Sequence, residues 1–414
     1  MRRTLHPTMK HLLTDIRPLQ QSPEFRWLLI GQALSTLGSQ MTGVAVAVQV
    51  YALTGSSLAV GMIGLAIAVP MVTLGLFGGS FADAVDRRKL VLVTSSLLAV
   101  TALGFVAQAA LDLRALWLLY GLLVVQSCLY ALDTPARRAF MPRLLPPALL
   151  PAAAALAQLA FRGGLLAGPL LGGVIIAQAG LAAAYAVDAL TFVVALVAVL
   201  GLRAMPVEGG TAPGLRAVLE GLRFLRHQPV IATVLIADIN ATIFGFPRAL
   251  FPALAETQFG GGAETVGLLT AALGIGGLVA GAFSGPLSHV RRQGVAVLLA
   301  VAVWGAASTC FALTSQLWLA VALLAAAGAA DMVSGVFRAT IPQVNTPDAL
   351  LGRVTGVGFV VGVGIPRLGD VRAGVVAELT SPLFSAVSGG LTCLAGIALI
   401  AWAVPAFRRY DAER

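Results

Sequence analysis

Long apolar runs recur along this chain, and they constrain its fold more than any other feature. Of its 414 residues, 58% are hydrophobic and only 11% are charged, whereas a soluble domain carries about a quarter charged residues. A helix needs about 20 apolar residues to cross a bilayer. Spans 1 to 12 are predicted at residues 25–52, 58–80, 90–111, 115–136, 150–178, 181–202, 229–256, 264–287, 294–313, 316–340, 350–379 and 382–405. The sequence therefore predicts an all-α, multi-pass membrane protein.

The basic residues alternate between the two sides of the predicted membrane. They cluster before span 1 and after spans 2, 4, 6, 8, 10 and 12. Arg338 and Arg353 flank the loop after span 10. The loops on the other side contain little basic charge besides Arg114. Cytoplasmic loops are enriched in Lys and Arg, so both termini are predicted to be cytoplasmic. Arginine far outnumbers lysine, which indicates a GC-rich bacterial genome and hence the bacterial cytoplasmic (inner) membrane. The net charge of +9 then reflects topology, and no nucleic-acid partner is expected.

The chain also repeats itself internally. An offset of about 206 residues aligns Val60-Gly61 with Val266-Gly267, and an offset of about 200 aligns Arg138-Ala139 with Arg338-Ala339. Such repeats are typical of transporters built from two similar halves, so two pseudo-symmetric six-helix bundles are predicted. The boundaries are a cytoplasmic N-terminal segment (1–24), a first bundle (25–202), a cytoplasmic linker with an amphipathic helix (203–228), a second bundle (229–405) and a cytoplasmic tail (406–414).

The loop after span 2, GGSFADAVDRRK, places Asp83 one helical turn before Arg87, so the two side chains can pair. The segment resembles the loop 2–3 signature of the major facilitator superfamily, although Ala84 and Asp86 depart from it. The matching residues are Gly79, Asp83, Arg87 and Arg88.

This resemblance implies the major facilitator fold and a charge cluster of Asp83, Arg87 and Arg88 with Asp133, at the end of span 4. In that superfamily the cluster holds the outward-open state and breaks as the halves rock. The alternative is that Arg87 and Arg88 only set the topology, which would require no acid inside the helix.

In span 5, glycines recur every four residues within RGGLLAGPLLGG, so they share one helix face and let another helix approach closely. Pro169 cannot donate a backbone hydrogen bond, which loosens the helix there. The pattern resembles the span 5 motif of exporters in this superfamily that exchange substrate for protons, and importers lack it. A generic packing motif is the alternative. The residues concerned are Gly164, Gly168, Pro169, Gly172 and Gly173.

Several charged residues fall inside predicted spans, namely Arg162, Asp238, Arg248, Asp331, Arg367 and Asp370. A charge near the bilayer midplane costs several kcal/mol and faces protein, water or a counter-charge. Arg162 is therefore either a functional residue or a helix-pairing one. Asp238 and Asp331 are the candidate proton carriers. Arg367 and Asp370 can neutralise each other, and Arg372 then adds positive charge suited to an anionic substrate.

Four segments resemble the enterobactin-exporter branch of bacterial efflux proteins: FADAVDRRKLVLV, LRFLRHQPV, LFPALAETQFGGGAETVGLL and TPDALLGRVTGV. The resemblance implies proton-coupled export of a siderophore-like or amphipathic drug-like small molecule, with substrate, protons and the lipid bilayer as partners. No metal-ligand spacing, nucleotide-binding loop or nucleophile elbow is present, so neither a cofactor nor a metal nor an enzymatic activity is expected. The alternatives are a solute importer of the same superfamily, a membrane-embedded enzyme, and a non-transporting sensor or scaffold.

Overall fold

The computed structural model describes residues 15–82, 86–138, 140–202, 220, 222–245 and 247–411, and every regular element in these ranges is a helix. The long helices are α1 (Pro23–Thr54), α2 (Ser57–Ala82), α3 (Arg87–Ala110), α4 (Leu116–Arg138), α5 and α6 (the two arms of Leu150–Leu200), α7 (Pro229–Phe244), α8 (Ala263–Ala282), α9 (Gln293–Leu313), α10 (Leu317–Asn345), α11 (Asp348–Leu379) and α12 (Pro382–Ala403). The prediction of an all-α membrane protein is confirmed.

Ten segments of the described ranges are long and apolar enough to cross a membrane. One of them contains the helix Leu150–Leu200, in which Gly180 has φ 82° and ψ 175°. This backbone conformation is open to glycine and strained for other residues, so Gly180 divides the helix into α5 (150–179) and α6 (181–200). The helix α1 is not among the ten segments. The count of twelve spans therefore stays a prediction.

One face of helix α1 carries polar side chains. These polar side chains line a cavity rather than lipid, and they are Gln32, Ser35, Thr36, Ser39, Gln40 and Thr42. The position of α1 beside the cavity therefore accounts for its polar face.

Side chains cap several of the helices at their first turn. Ser22 accepts a hydrogen bond from the backbone N–H of Phe25 at 3.1 Å and so caps α1. Asp86 accepts from the N–H groups of Arg88 and Lys89 at 2.9 and 3.2 Å at the start of α3. Each such cap contributes about 1 kcal/mol. Asp86, which departs from the superfamily signature, therefore has a structural role.

The helix contacts fall into two sets that meet along two seams. In the first set, α1 packs against the helix Leu150–Leu200, α3 packs against α4 and α6, and α2 packs against α4. In the second set, α9 packs against α10 and α12, α8 packs against α10, and α7 packs against α11. The seams between the sets are α2 with α11 and α5 with α8. This arrangement supports two six-helix halves, whose boundaries at 25–202 and 229–405 remain predictions.

Two sides of the helix array are distinguished below. The basic side is the one at which α1 begins and α12 ends, near Arg26 and Arg408. On the opposite side the two halves touch closely, because the Ser56 hydroxyl donates a hydrogen bond to a carboxylate oxygen of Glu378 at 2.8 Å. Glycines permit this approach, since a Cβ on Gly374 would lie 2.7 Å from the carbonyl oxygen of Ser57.

Only the end of the predicted amphipathic linker helix lies within the described residues. Leu225 is buried against Val354 and Val357 of α11, and Glu220 pairs with Arg353 at 2.6 Å. This end of the linker is therefore attached to the second half.

Candidate functional site

A cavity of about 660 Å³ lies between the two halves, lined by residues of both. It extends from Asp133 and Arg137 near the basic side to Val60 and Val266 toward the opposite side. There the close packing of α2 on α11 and of α5 on α8 covers it. Much of the lining is apolar, and the charged lining residues are Asp133, Arg137, Arg248, Arg367 and Asp370.

Asp133 is buried and lies in a polar cluster at the basic side of the first half. Its carboxylate accepts a hydrogen bond from the Thr94 hydroxyl at 2.6 Å and forms an ion pair with Arg137, one turn later in α4. The Arg137 guanidinium also donates to the Ser95 hydroxyl at 2.6 Å. The pair of Arg137 with Asp133 was not predicted, although their spacing of four residues is the signal that could have identified it.

The predicted gating cluster is only partly within the described residues. Asp83 lies outside them, and Arg87 begins α3. Arg88 donates from its guanidinium to the carbonyl oxygen of Leu200 at 2.8 Å. The cluster of Asp83, Arg87, Arg88 and Asp133 therefore stays a prediction.

The glycines of the span 5 motif contact two different helices. Cβ atoms on Gly164, Gly168 and Gly172 would collide with α1, in which Thr36, Gln40 and Met41 are the neighbours. A Cβ on Gly173 would instead lie 2.7 Å from the carbonyl oxygen of Ala263 and 3.2 Å from the Cα of Gly267, both in α8.

Through these glycines, α5 packs against α1 of its own half and against α8 of the other half. Pro169 belongs to the same seam, because its carbonyl oxygen is the atom nearest to Gly267. Small residues on both sides of a seam allow backbones to approach and give van der Waals packing in a lipid environment. The contacts support a structural role at the point where the halves meet.

A second cavity, of about 460 Å³, lies between α5, α8, α9 and α10 and shares Leu165, Arg248 and Thr270 with the first. Arg162 lines this second cavity, within electrostatic reach of Asp331. Arg162 thus lies beside a cavity and an acid of the other half, which favours a functional role over simple helix pairing.

Asp238 and Asp331 are brought together by Arg338. One guanidinium nitrogen pairs with Asp238 of α7, and the other pairs with Asp331 of α10 at 2.6 Å. The side chains of Asp238 and Arg338 are only 16% and 17% exposed, whereas that of Asp331 is 53% exposed. A guanidinium held by two carboxylates carries a net charge of −1, which protonation of either acid would neutralise.

Arg338 was expected only as one of the basic residues that flank the loop after span 10, and it also faces the protein interior. The helix α10 continues to Asn345, beyond the expected end of span 10 at residue 340, and the Arg338 side chain pairs with Asp238. The spacing of seven residues from Asp331, two helical turns, is the sequence signal that places both side chains on one face.

Arg367 and Asp370 form the predicted pair, at 3.7 Å, and both line the first cavity with Arg248. Arg372 does not line either cavity. Its guanidinium lies over the ring of Phe244, 5.7 Å from the ring centroid. The expectation that Arg372 supplies positive charge for a substrate stays a prediction, and the arginines on this side of the first cavity wall are Arg248 and Arg367.

The chain matches the transmembrane secretion effector family over residues 13–413. It therefore belongs to this family, a branch of the major facilitator superfamily of transporters.

Within that branch the chain is similar to enterobactin exporters. It is 29% identical over 383 residues to the enterobactin exporter EntS of Shigella boydii serotype 18 (strain CDC 3083-94 / BS512), with 92% of each chain covered. It is 28% identical, with the same coverage, to the enterobactin exporter EntS of Escherichia coli O1:K1 / APEC. The resemblance inferred from sequence motifs is thus confirmed over most of the chain.

Solved transporters share the fold at low sequence identity. A bacterial homologue of the human lysosomal transporter Spinster, in an inward-facing and unoccupied conformation, superposes with a TM-score of 0.69 at 16% identity, covering 93% of this chain and 96% of that one. A POT family transporter in complex with 5-aminolevulinic acid gives a TM-score of 0.73 at 10% identity, covering 93% and 97%. These similarities establish the major facilitator fold.

Proposed function

We propose that this protein is a secondary active exporter that moves a siderophore-like or amphipathic drug-like small molecule out of the bacterial cytoplasm in exchange for protons. The observation that carries the proposal is the cavity between the halves, lined by residues of both and covered on the opposite side by glycine-rich seams that include the span 5 motif. The similarity to enterobactin exporters over 92% of the chain supports the direction and the class of substrate.

The transport cycle consists of a rocking motion of the two halves about the cavity. With the basic side cytoplasmic, the cavity described here is the form that receives substrate from the cytoplasm. The seams then separate on the opposite side while the basic side closes, which releases the substrate outside. The cluster of Asp83, Arg87, Arg88 and Asp133 acts at the basic side and stabilises the closed form there.

Proton coupling resides in the carboxylates around Arg338. Asp331 lines the second cavity and is 53% exposed, so water can deliver a proton to it, while Asp238 remains as the buried partner of Arg338. A proton on Asp331 removes one of the two charges that hold the guanidinium. Alternating exposure of Asp331 to the two sides then loads and unloads one proton per cycle, because the access of water changes the affinity of a carboxylate for protons.

An importer of the same superfamily is the second candidate within transporters, and the intact span 5 motif, which importers lack, disfavours it. A membrane sensor or scaffold belongs to another class of protein. The continuous cavity lined by paired charges disfavours it, since buried charges in a membrane mark a transport pathway.

Coupling is tested in everted membrane vesicles with an acidic lumen. Adding enterobactin is expected to release protons and raise the fluorescence of a pH-sensitive dye. Asp331→Asn is expected to abolish this signal while substrate–substrate exchange persists. Asp112→Asn is the matched control, because Asp112 is exposed and pairs with Arg114 at 3.5 Å, and it is expected to behave like the wild type. Transport that continues at full rate without an ion gradient would exclude coupling.

Removing the predicted gating acid gives a separate prediction. Asp83→Asn is expected to slow export about tenfold, the effect of about 1.4 kcal/mol in the barrier between the two states, without reducing membrane insertion. The rate is measured in the same vesicles, per molecule of inserted protein. Normal flux in this variant would remove Asp83 from the gate and leave Arg87 and Arg88 as topology-setting residues.

A further inference from the structure

The seventh span is interrupted at membrane depth. Helix α7 ends at Phe244, a single 3-10 turn follows at Arg248–Leu250, and a short helix continues from Phe251 to Thr257. Non-helical backbone within a membrane occurs where it lines a water-filled space or is buried in protein, and in transporters it marks the binding site. Here the interruption places Arg248 at the junction of the two cavities, because Arg248 lines both.

Arg248 has no direct ion pair among the described residues, and the acid that acts on it at longer range, Asp370, is already paired with Arg367. In the walls of the two cavities, Arg137 is held by Asp133, Arg367 by Asp370 at 3.7 Å, and Arg338 by Asp331 and Asp238. Arg162 shares Asp331 with Arg338 at a longer range. The walls therefore carry more arginines than they can neutralise with acids of their own.

Arg248 and Arg367 share the single acid Asp370, so this part of the first cavity carries a net positive charge that an anionic group can balance. Isolated charges near the midplane cost several kcal/mol unless water or an opposite charge meets them. Besides these charges and the polar face of α1, the wall of the first cavity contains apolar residues, among them Val44, Ile63 and Phe251. A ligand that satisfies both features has an anionic group joined to an apolar body.

We propose that Arg248 is the anion-binding centre of the transport site and that the exported molecule is an amphipathic acid, with an ionised carboxylate or catecholate oxygen bound to this guanidinium. The proposal rests on the proposed function and specifies the substrate class for the same cavity. Arginine binds such groups through two parallel charge-assisted hydrogen bonds. The apolar wall holds the remainder of the molecule.

The test uses two probes that differ only in charge, 1-pyrenebutyrate and its neutral amide. Their binding to the purified full-length protein at neutral pH is measured by quenching of tryptophan fluorescence, to which Trp304 in the wall of the second cavity contributes. The wild type is expected to bind the acid about tenfold more tightly than the amide, the usual effect of one charge-assisted hydrogen bond. Arg248→Gln is expected to bind the two equally, and Arg248→Lys to retain part of the preference.

Arg409→Gln is the matched control, since it removes one exposed arginine from the basic end of the chain, and it is expected to keep the full preference for the acid. Equal binding of acid and amide by the wild type, an acid preference that survives in Arg248→Gln, or no binding of either probe would each overturn the assignment. The dye signal in everted vesicles decides the exporter proposal separately. A proton-coupled exporter without preference for the acid keeps its proposed function and loses this substrate class.

Discussion

Arg338→Gln is expected to lower proton-coupled export by more than about 100-fold while the protein still inserts into the membrane. Arg338 holds Asp238 and Asp331 together, and both Asp238 and Arg338 are largely buried. Removing one partner of a buried ion pair costs about 3–5 kcal/mol because it leaves an uncompensated charge, and each 1.4 kcal/mol corresponds to a factor of about ten. Asp238 then stays protonated, and the site no longer responds to the protonation of Asp331.

The measurement is the rate of dye dequenching per inserted molecule, compared with three further variants. Arg338→Lys retains the charge and is expected to keep a fraction of the coupled rate. Arg338→Gln combined with Asp238→Asn is expected to recover thermal stability without recovering coupling. Arg353→Gln is the matched control, because Arg353 pairs with Glu220 at 2.6 Å in an exposed position, where a pair contributes about 0–1 kcal/mol.

The outcome for the control separates two explanations. If Arg353→Gln also abolished export, the loss would come from removing any basic residue near this side of the membrane. Full coupled export by Arg338→Gln would exclude the carboxylate pair as the site of coupling and would favour Asp370 in the first cavity.

Much of the fold was predictable, because the bilayer imposes a minimum length of apolar sequence on each span. The succession of long apolar helices followed from that constraint, and the close packing of the span 5 glycines followed from their spacing. The break in span 7 was also predictable, since Gly245, Pro247 and Pro252 occur within eight residues, GFPRALFP. Residues 229–256 were nevertheless interpreted as one continuous helix.

The coupling site was not fully predictable, for two physical reasons. First, hydropathy does not distinguish an arginine near the end of a helix that faces solvent from one that faces inward, so the ion pairs of Arg338 were not predicted. Second, the partners are distant in sequence, because Asp238 and Arg338 are 100 residues apart and belong to different helices. Spacing rules apply within a helix and say nothing about contacts between helices.

Gly173→Ala is expected to shift the protein from the form described here toward the form that is open on the opposite side. An added Cβ would lie 2.7 Å from the carbonyl oxygen of Ala263 and 3.0 Å from the Cα of Glu264, both backbone atoms of α8 that cannot move aside. Overpacking of this kind costs about 1–3 kcal/mol. Because the clash exists only while the halves touch, the cost corresponds to a shift of about 5- to 150-fold in the conformational equilibrium.

Gly168 and Gly163 provide the matched comparison within the same helix. A Cβ on Gly168 would lie 2.7 Å from the carbonyl oxygen of Leu37 in α1, which belongs to the same half in both forms. Gly168→Ala is therefore expected to lower thermal stability without changing the equilibrium. A Cβ on Gly163 has no neighbour within 4 Å among the described residues, so Gly163→Ala is expected to change neither property.

The equilibrium is measured as the distance between spin labels at positions 114 and 380, which lie on the opposite side in different halves, after the three native cysteines have been replaced. A longer distance in Gly173→Ala alone would locate the moving seam at α5 and α8. The same lengthening in Gly168→Ala would mean that the contact of α1 with α5 also opens during the cycle, so the first half would not move as a rigid unit. An unchanged distance in Gly173→Ala would show that the seam stays closed, and a rocking motion about the cavity would then be excluded.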